Sequence, residues 1–114
     1  VRGNSSRYFP KKQYAIRTVD DENIPQETAF FGMPAETTWV LNGSNIDYSQ
    51  IRNYMMYNIS AEIMDYAPRC RLCEVFLTNA DGKLEYQGLY TMIEKPKVSK
   101  ERLDLTPYNP KYTE

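Results

Sequence analysis

The first regular pattern in the chain is an alternation of apolar and other side chains over residues 12–19. Tyr14 and Ile16 occupy alternate positions there, which is the two-residue period of a β-strand with one buried face. Acidic and amide residues at 20–23 then end the pattern. We therefore predict a first strand near residues 12–19.

The following stretch, residues 24–35, contains two prolines, one glycine and the apolar group Ala29–Phe31. This mixture predicts a loop or a short irregular helix pressed onto the core. Trp39–Leu41 is a short apolar segment, and the asparagine and glycine residues at 42–45 indicate another loop.

The strongest helical pattern extends from about Tyr48 to Tyr66. Asp47 can accept backbone amide hydrogen bonds from the first turn, and Gln50 stands at the spacing of a capping box. Pro68 limits continuation, so the helix would be about 28 Å long. Apolar residues at every fourth position predict the face that packs on a sheet. These residues are Ile51, Met55, Ile59 and Ile63, and Tyr54, Met56 and Met64 widen the stripe.

A β-hairpin is predicted after this helix. Cys70–Thr78 has the composition of a strand, the Asn-Ala-Asp-Gly sequence at 79–82 is a strong turn signal, and residues 83–93 form the returning strand or strands. Gly88 indicates a bulge or a close backbone approach. The whole pattern predicts an α+β fold, in which an antiparallel sheet is packed by one long helix.

Composition excludes several classes of protein. The chain has 114 residues, of which 41% are hydrophobic and 25% charged, and its formal net charge is −1. This charge offers no general attraction to nucleic acid, and no apolar run is long enough to span a bilayer. We expect no nucleic-acid partner and no membrane span.

Cys70 and Cys73 form the one pair that suggests metal or redox chemistry. The chain has no histidine and no other cysteine, so a zinc site would lack half of its usual ligands. Residues three apart on a strand face opposite sides and lie about 10 Å apart, beyond disulfide reach. We expect two reduced, structural thiols.

A series of short motifs covers nearly the whole chain in a fixed order. They are Arg2-Gly3-Asn4-Ser5-Ser6, Pro10-Lys11-Lys12-Gln13-Tyr14, Gly32-Met33-Pro34-Ala35, Trp39-Val40-Leu41-Asn42, Arg52-Asn53-Tyr54, Tyr66-Ala67-Pro68-Arg69, Glu74-Val75-Phe76-Leu77, Tyr86-Gln87-Gly88-Leu89-Tyr90 and Glu94-Lys95. This succession resembles the spore-coat protein H (CotH) kinase family, atypical kinases that phosphorylate secreted or coat-associated proteins.

The resemblance implies a domain organisation and a location. Residues 1–105 would be the amino-terminal part of a CotH-like kinase domain, similar to the small lobe of a kinase-like fold and truncated. Residues 106–114 would be a linker or a cut end. The location implied is secreted, at the cell surface or in the spore coat.

The first motif suggests a phosphate contact. It offers a guanidinium, a flexible glycine and hydroxyl or amide donors within one turn, which can surround phosphate oxygens. A polar turn without a ligand is the alternative. The residues concerned are Arg2, Asn4, Ser5 and Ser6.

Two lysines precede the first strand, so one can point toward a bound nucleotide while the other meets solvent. Kinases place a strand lysine on the α and β phosphates and hold it with a glutamate of the packed helix. Of Lys11 and Lys12 we prefer Lys12, paired with Glu62 of the helix. Two solvated charges are the alternative.

A second nucleotide contact is implied where a kinase-like chain crosses between its lobes. Backbone groups at this crossover hydrogen-bond an adenine edge, which makes Ile93, Glu94 and Lys95 the candidate hinge. The resemblance places this hinge and the Lys12 region on one shared cleft. Surface charge is the alternative for Lys95.

The resemblance implies ATP and Mg²⁺ as cofactors of the parent protein, with serine or threonine of coat or secreted proteins as the acceptor. The aspartates of this chain are scattered, whereas phosphoryl transfer needs carboxylates that hold Mg²⁺. We therefore expect no catalytic or metal-binding residue in this fragment, which a missing larger lobe would complete. Exposed lobe-facing surfaces would favour self-association. The alternative is a non-catalytic binding or scaffolding module for coat, cell-surface or polysaccharide-associated proteins.

Overall fold

The computed structural model describes residues 1–98, 100 and 103–105. Its elements are a 3₁₀ turn at Ser5–Tyr8, strands β1 (Tyr14–Arg17) and β2 (Thr38–Asn42), helix α1 (Arg52–Ile63), and strands β3 (Cys70–Thr78) and β4 (Leu84–Glu94). The strands form one antiparallel sheet in the order β1-β2-β4-β3. The predicted α+β class is confirmed, and the predicted linker at 106–114 lies outside the described residues.

The two middle strands, β2 and β4, form the core of the sheet. Trp39 of β2 and Tyr90 of β4 are 0% and 1% exposed. A strand that is buried on both faces has no polar alternation, so β2 is visible in the sequence only as the short apolar segment Trp39–Leu41. The structure extends this segment into a central strand.

One face of the sheet is covered by the loop that precedes β2. Met33 of this loop is buried in a cluster with Trp39 and Leu41. The Phe30 ring meets the Trp39 ring edge-on, with ring centres 5.4 Å apart. The prediction that residues 24–35 are pressed onto the core is confirmed for Phe30 and Met33, whereas Phe31 is 57% exposed.

The opposite face is covered by α1, whose Tyr54 and Tyr57 pack against Val40, Cys70 and Ile93. Tyr54, which widens the predicted stripe, is confirmed on the packing face, but the residues at every fourth position are turned away from the sheet, so the centre of the predicted face is wrong. A tyrosine ring buries a large apolar surface while its hydroxyl reaches water, so these two rings replace the aliphatic stripe. The exposed fractions in that stripe are 39% for Ile51, 49% for Met55, 49% for Ile59 and 79% for Ile63.

Helix α1 is also shorter than predicted, because it begins at Arg52 and not near Tyr48. Gln50 has a φ of 63°, which a right-handed helix does not contain, and its side-chain amide donates to the carbonyls of Ser44 and Asp47. The Asp47 carboxylate accepts a hydrogen bond from the Arg52 amide at 3.0 Å. Asp47 thus accepts an amide of the first turn as predicted, but Ile51 occupies the N-cap position, and the capping box with Gln50 is wrong.

The hairpin follows the prediction closely. β3 has the expected bounds, and the turn at 79–82 is closed by a hydrogen bond from the Gly82 amide to the Asn79 carbonyl at 3.0 Å. Gly88 lies opposite an irregularity in the register between Val75 and Phe76, which confirms the predicted bulge.

The two cysteines are free thiols. Cys70 packs in the cluster under α1, whereas Cys73 packs against the cluster on the opposite face of the sheet. Burial raises the pKa of both thiols, which disfavours the reactive thiolate. The prediction of two separate structural thiols is confirmed.

Candidate functional site

A half-buried lysine lies where β2 ends beside the middle of β4. The Lys11 ammonium donates to Oε1 of Gln50 at 2.8 Å and to the Leu89 carbonyl at 2.5 Å. Its nitrogen also lies 4.9 Å from the centre of the Tyr90 ring, within the range of a cation–π contact. Neutral groups from two parts of the chain, the loop before α1 and strand β4, therefore fix this cation.

Two glycines lie beside the lysine side chain, and the tighter approach is at Gly43. A Cβ atom on Gly43 would lie 3.3 Å from Cγ of Lys11 and 3.1 Å from the Tyr90 ring. Gly88 has a φ of 101°, and a Cβ atom there would lie 3.6 Å from the ammonium nitrogen. The sequence has small residues where the lysine side chain passes.

Lys11 has no carboxylate partner among the described residues. Burial lowers the pKa of Lys11, because lost hydration disfavours the charged form. An anion bound beside this ammonium would compensate for part of the lost hydration by stabilising its charge. The ion pairs within the described residues join other groups: Arg52 with Asp47, Arg69 with Glu94, and Lys97 with Glu36.

The preferred Lys12–Glu62 ion pair is wrong. The Lys12 ammonium donates to the Arg7 carbonyl at 2.7 Å, and the pair is absent from the ion pairs of the described residues. The Tyr90 hydroxyl donates to the Lys12 carbonyl at 2.7 Å. This anchor holds the Lys12 backbone at the sheet while Lys11 is the inward lysine. The roles of Lys12 and Glu62 toward a nucleotide stay predictions.

A cleft of about 490 Å³ opens at the Asn42 end of β2. We call it the serine cleft, and it includes two of the predicted phosphate-contact residues. The other two, Arg2 and Asn4, do not line it, although the Arg2 amide donates to the Gln13 carbonyl at 2.8 Å and holds the segment beside β1. The polar residues that line the serine cleft include Ser5, Ser6, Asn42, Ser44, Asp47 and Asn53.

The predicted hinge is largely built into the sheet. Ile93 is paired with Val40 on one side and Cys70 on the other, so its backbone groups face neighbouring strands. The Glu94 amide donates to the Arg69 carbonyl at 3.0 Å. Lys95 is the first residue of the hinge beyond β4.

The Glu94 side chain is buried within the fold and bound by Arg69. It is 0% exposed, and its carboxylate accepts hydrogen bonds from the Arg69 guanidinium at 3.1 Å and from the Arg69 amide at 3.0 Å. This carboxylate therefore joins the ends of β3 and β4. The burial of the Glu94 side chain is explained by these contacts, without a ligand.

The expected shared cleft is wrong. Lys95 lines a separate cleft of about 360 Å³ with Glu36 and Thr38, whereas the serine cleft meets β2 at Asn42. Thr38 and Asn42 are four residues apart on one strand, so the two openings are separated by about 13 Å. The buried central strand β2 lies between the two openings, so they do not merge into one cleft.

Sequence reasoning missed the contacts of Lys11 with Gln50 and Gly43, and it missed Ser44. Gln50 was assigned to a helix cap, and the loop at 42–45 showed only turn chemistry. Lys11 was one of two equivalent lysines. The signal that distinguishes it is Gly88, a glycine within a strand pattern, which indicates that another group approaches closely.

Comparison with known families decides the classification. A family model described as CotH kinase protein matches residues 1–112. The chain belongs to this family. The resemblance carried by the ordered motifs is thus confirmed, and the CotH family is associated with the spore coat. No curated protein and no solved structure matched the chain.

Two further findings concern membrane-spanning helices and metal-binding groups. No helix in the described part of the chain has the length and apolar character that crossing a bilayer requires. Across the same residues, no three His, Cys, Asp or Glu side chains converge into a group that could hold a metal ion.

The CotH family implies ATP and Mg²⁺, and the side chains fit these two groups differently. A phosphate finds the Lys11 ammonium, which has only neutral partners. Mg²⁺ needs several oxygen ligands, but Asp47 of the serine cleft already accepts hydrogen bonds from Ser49 and Arg52. The described residues fit the phosphates of a nucleotide and do not fit its metal.

Proposed function

We propose that this chain forms the nucleotide-binding wall of an atypical CotH protein kinase. The kinase transfers the γ-phosphate of ATP to serine or threonine of coat or extracellular proteins. The observation that carries the proposal is the half-buried Lys11 ammonium, whose hydrogen-bond acceptors, Gln50 and the Leu89 carbonyl, are neutral.

The physical argument concerns charge balance at Lys11. Partial burial removes water from the ammonium, and its neutral acceptors do not offset the positive charge. A phosphate would offset it, as the strand lysine of kinases does on the α and β phosphates. The sheet backed by α1 supplies a rigid support, which corresponds in our proposal to the small lobe of a kinase-like fold.

Other residues have smaller parts in this proposal. Ser5 and Ser6 supply hydroxyl donors from the serine cleft, and Arg2 with Asn4 extends the same segment. Lys12 supplies longer-range positive charge to the nucleotide.

The proposal assigns no step of phosphoryl transfer to this chain. ATP supplies the phosphoryl group when bound, and carboxylates of a larger lobe hold Mg²⁺. The chain binds and orients the phosphates, so by itself it is inactive. Coat or secreted proteins are the proposed substrates, and the surfaces that meet the larger lobe favour self-association when uncovered.

A fluorescent, non-hydrolysable ATP analogue tests the proposal. The analogue should bind the protein, and Lys11→Met should weaken binding by about tenfold or more, because a hydrogen bond between charged groups is lost. Lys12→Met is the comparison variant and should weaken binding less than Lys11→Met, since it removes a neighbouring ammonium that donates to the Arg7 carbonyl. Far-ultraviolet circular dichroism checks that both variants are folded.

The possible outcomes separate the candidate functions. Equal binding by the wild-type protein and Lys11→Met would refute the role of Lys11. A loss confined to Lys12→Met would restore the original assignment to Lys12. No binding of the analogue by the protein, together with retained binding of coat proteins, would support the alternative of a non-catalytic scaffolding module.

A further inference from the structure

Strand β3 is an edge strand of the sheet. It stands last in the strand order and has nine residues, whereas an average strand has about five or six. The Glu94 amide donates to the Arg69 carbonyl, so Arg69 and every second residue after it direct their backbone groups toward β4. The residues between them, including Leu72 and Glu74, direct their amide and carbonyl groups away from the sheet.

These outward backbone groups are not covered by another segment in the described part of the chain. The outward carbonyl of Cys70 accepts a hydrogen bond from the Arg71 guanidinium at 2.8 Å. No loop among the described residues donates to or accepts from the backbone of Leu72 or Glu74. A row of alternating free amides and carbonyls is a template for pairing, and the group that fits it is another extended chain.

An apolar groove of about 220 Å³ reaches this edge on the face that α1 does not cover. Cys73 and Val75 of β3 line it together with the rings of Phe31 and Phe76, which are 57% and 54% exposed. Phe31 has a φ of 50°, an unfavourable conformation for a bulky residue. An exposed ring that is held in such a conformation indicates a contact with a group outside the chain.

Glu74 gives this edge a preference for positive charge. Its side chain is exposed, its carboxylate accepts a hydrogen bond from the Tyr86 hydroxyl at 2.8 Å, and it belongs to none of the ion pairs of the described residues. Alternation along a strand places it on the face opposite to that of Cys73 and Val75. A lysine or arginine opposite Glu74 on an added strand would therefore be favourable.

A second copy of the chain fits this edge less well. A two-fold antiparallel pair that uses all of Cys70–Thr78 is centred on Glu74, so the Glu74 carboxylates of the two copies would lie opposite each other. Like charges at directly opposite positions are destabilising. The charge at the centre of β3 therefore favours a different strand that carries a cation at this position.

We propose that β3 binds an extended protein segment as an added antiparallel strand, in which a lysine or arginine opposite Glu74 is flanked by two apolar residues. The flanking residues lie opposite Cys73 and Val75, so their side chains meet the apolar groove. Backbone hydrogen bonds to Leu72 and Glu74 supply affinity, and the groove and the carboxylate supply specificity. This inference goes beyond the proposed function and does not depend on Lys11 or on a nucleotide.

Fluorescence anisotropy with a labelled synthetic peptide tests the added strand. In the peptide two leucines flank a central lysine, and threonines stand outside the leucines. N-methylation of the lysine amide, which faces β3, should weaken binding by about tenfold or more because hydrogen bonding is lost. N-methylation of the leucine amides, which face away, is the matched control and should leave binding unchanged. Equal losses for the two modified peptides, or no binding of the unmodified peptide at about 1 mM, would overturn the proposal.

A charge exchange tests the role of Glu74. Glu74→Lys should weaken binding of the lysine peptide by about five- to tenfold, and a peptide with glutamate in place of the lysine should recover the loss. Glu22→Lys is the control, because Glu22 is exposed in the loop after β1, the strand at the other edge of the sheet. The same loss in both variants would show an effect of net charge alone and would contradict the proposed pairing.

Phe31→Gly tests the groove without disturbing the edge strand. Its melting temperature should change little, because glycine adopts a φ of 50° readily, whereas peptide binding should weaken by about fivefold as apolar contact is lost. Unchanged binding would remove the groove from the proposal. Sedimentation of the protein alone examines the other occupant: a dimer that is formed without peptide and excludes the peptide would show that a second copy covers β3, and the proposal would be wrong.

Discussion

At the Thr38 end of β2 buried acidic groups have oppositely charged partners, whereas at the Asn42 end the half-buried ammonium of Lys11 has neutral ones. Glu94 is held by Arg69 and Glu36 by Lys97 at the first end. Gln50 and a backbone carbonyl hold the cation at the second end.

This difference distinguishes charges that stabilise the fold from a charge that is available to bind a ligand. A buried ion pair loses much stability when one partner is removed, because the remaining charge has no compensation. Removing a cation that lacks a carboxylate partner should cost the fold less stability. An external anion can bind such a cation more favourably. The two ends of β2 should therefore respond differently to substitution.

The largest expected effect is at the paired end. Arg69→Met leaves the fully buried Glu94 carboxylate without its guanidinium, so the free energy of unfolding should fall by about 3–5 kcal/mol. Urea denaturation measures this loss. Glu94→Gln in the Arg69→Met background should recover part of it, because a buried charge that has lost its guanidinium partner is removed.

Arg71→Met is the control for that loss. Arg71 lies on the same strand and its guanidinium donates to the Cys70 carbonyl at 2.8 Å, a neutral acceptor. Its replacement should cost less than about 1 kcal/mol. Equal losses for the two arginine variants would show that Arg69 does not act through the charge of Glu94.

An intermediate effect is expected from Glu36 and should depend on pH. A hydrogen bond from the Thr37 amide, followed by contacts with Lys97, lowers the pKa of Glu36 below its ordinary value of 4.5. Because the folded-state pKa is the lower one, this carboxylate stabilises the fold above the unfolded-state pKa. That stabilisation is lost as the pH falls through the folded-state pKa.

Glu36→Gln should therefore remove about 1 kcal/mol at pH 7 and less at a pH below the folded-state pKa of Glu36. Urea denaturation of both proteins at pH 7 and at low pH measures the difference. Lys97→Met should reproduce part of the change, since Lys97 lies 3.3 Å from the Glu36 carboxylate. An unchanged gap between wild type and Glu36→Gln at the two pH values would contradict the assignment.

Local sequence signals predicted the parts of this fold that depend on neighbouring residues. The hairpin was predictable because alternation and an Asn-to-Gly turn act over a few residues. The packing face of α1 was not, because tyrosines took the place of the aliphatic stripe. Its start depends on Gln50, whose partners Ser44 and Lys11 lie 6 and 39 residues away.

The candidate site shows the same division. Family motifs placed Ser5 and Ser6 beside a cleft, but they could not distinguish Lys11 from Lys12. That choice depends on the side chains that surround each lysine, including Tyr90, 78 residues from Lys12. Pairing of distant charges is a property of the folded sheet, so the Lys12–Glu62 pair could not be tested by spacing alone.

The smallest stability effect is expected at the unpaired end. Lys11→Met loses hydrogen bonds to Gln50 and Leu89 but also removes a partly desolvated charge, so the two effects oppose each other. The free energy of unfolding should change by less than about 1 kcal/mol, which urea denaturation measures. The ATP analogue should raise the melting temperature of the wild type more than that of Lys11→Met, because only a bound ligand stabilises the folded state. A loss as large as that of Arg69→Met would remove the distinction between the two ends of β2, because Lys11 would then be a structural charge like Glu94.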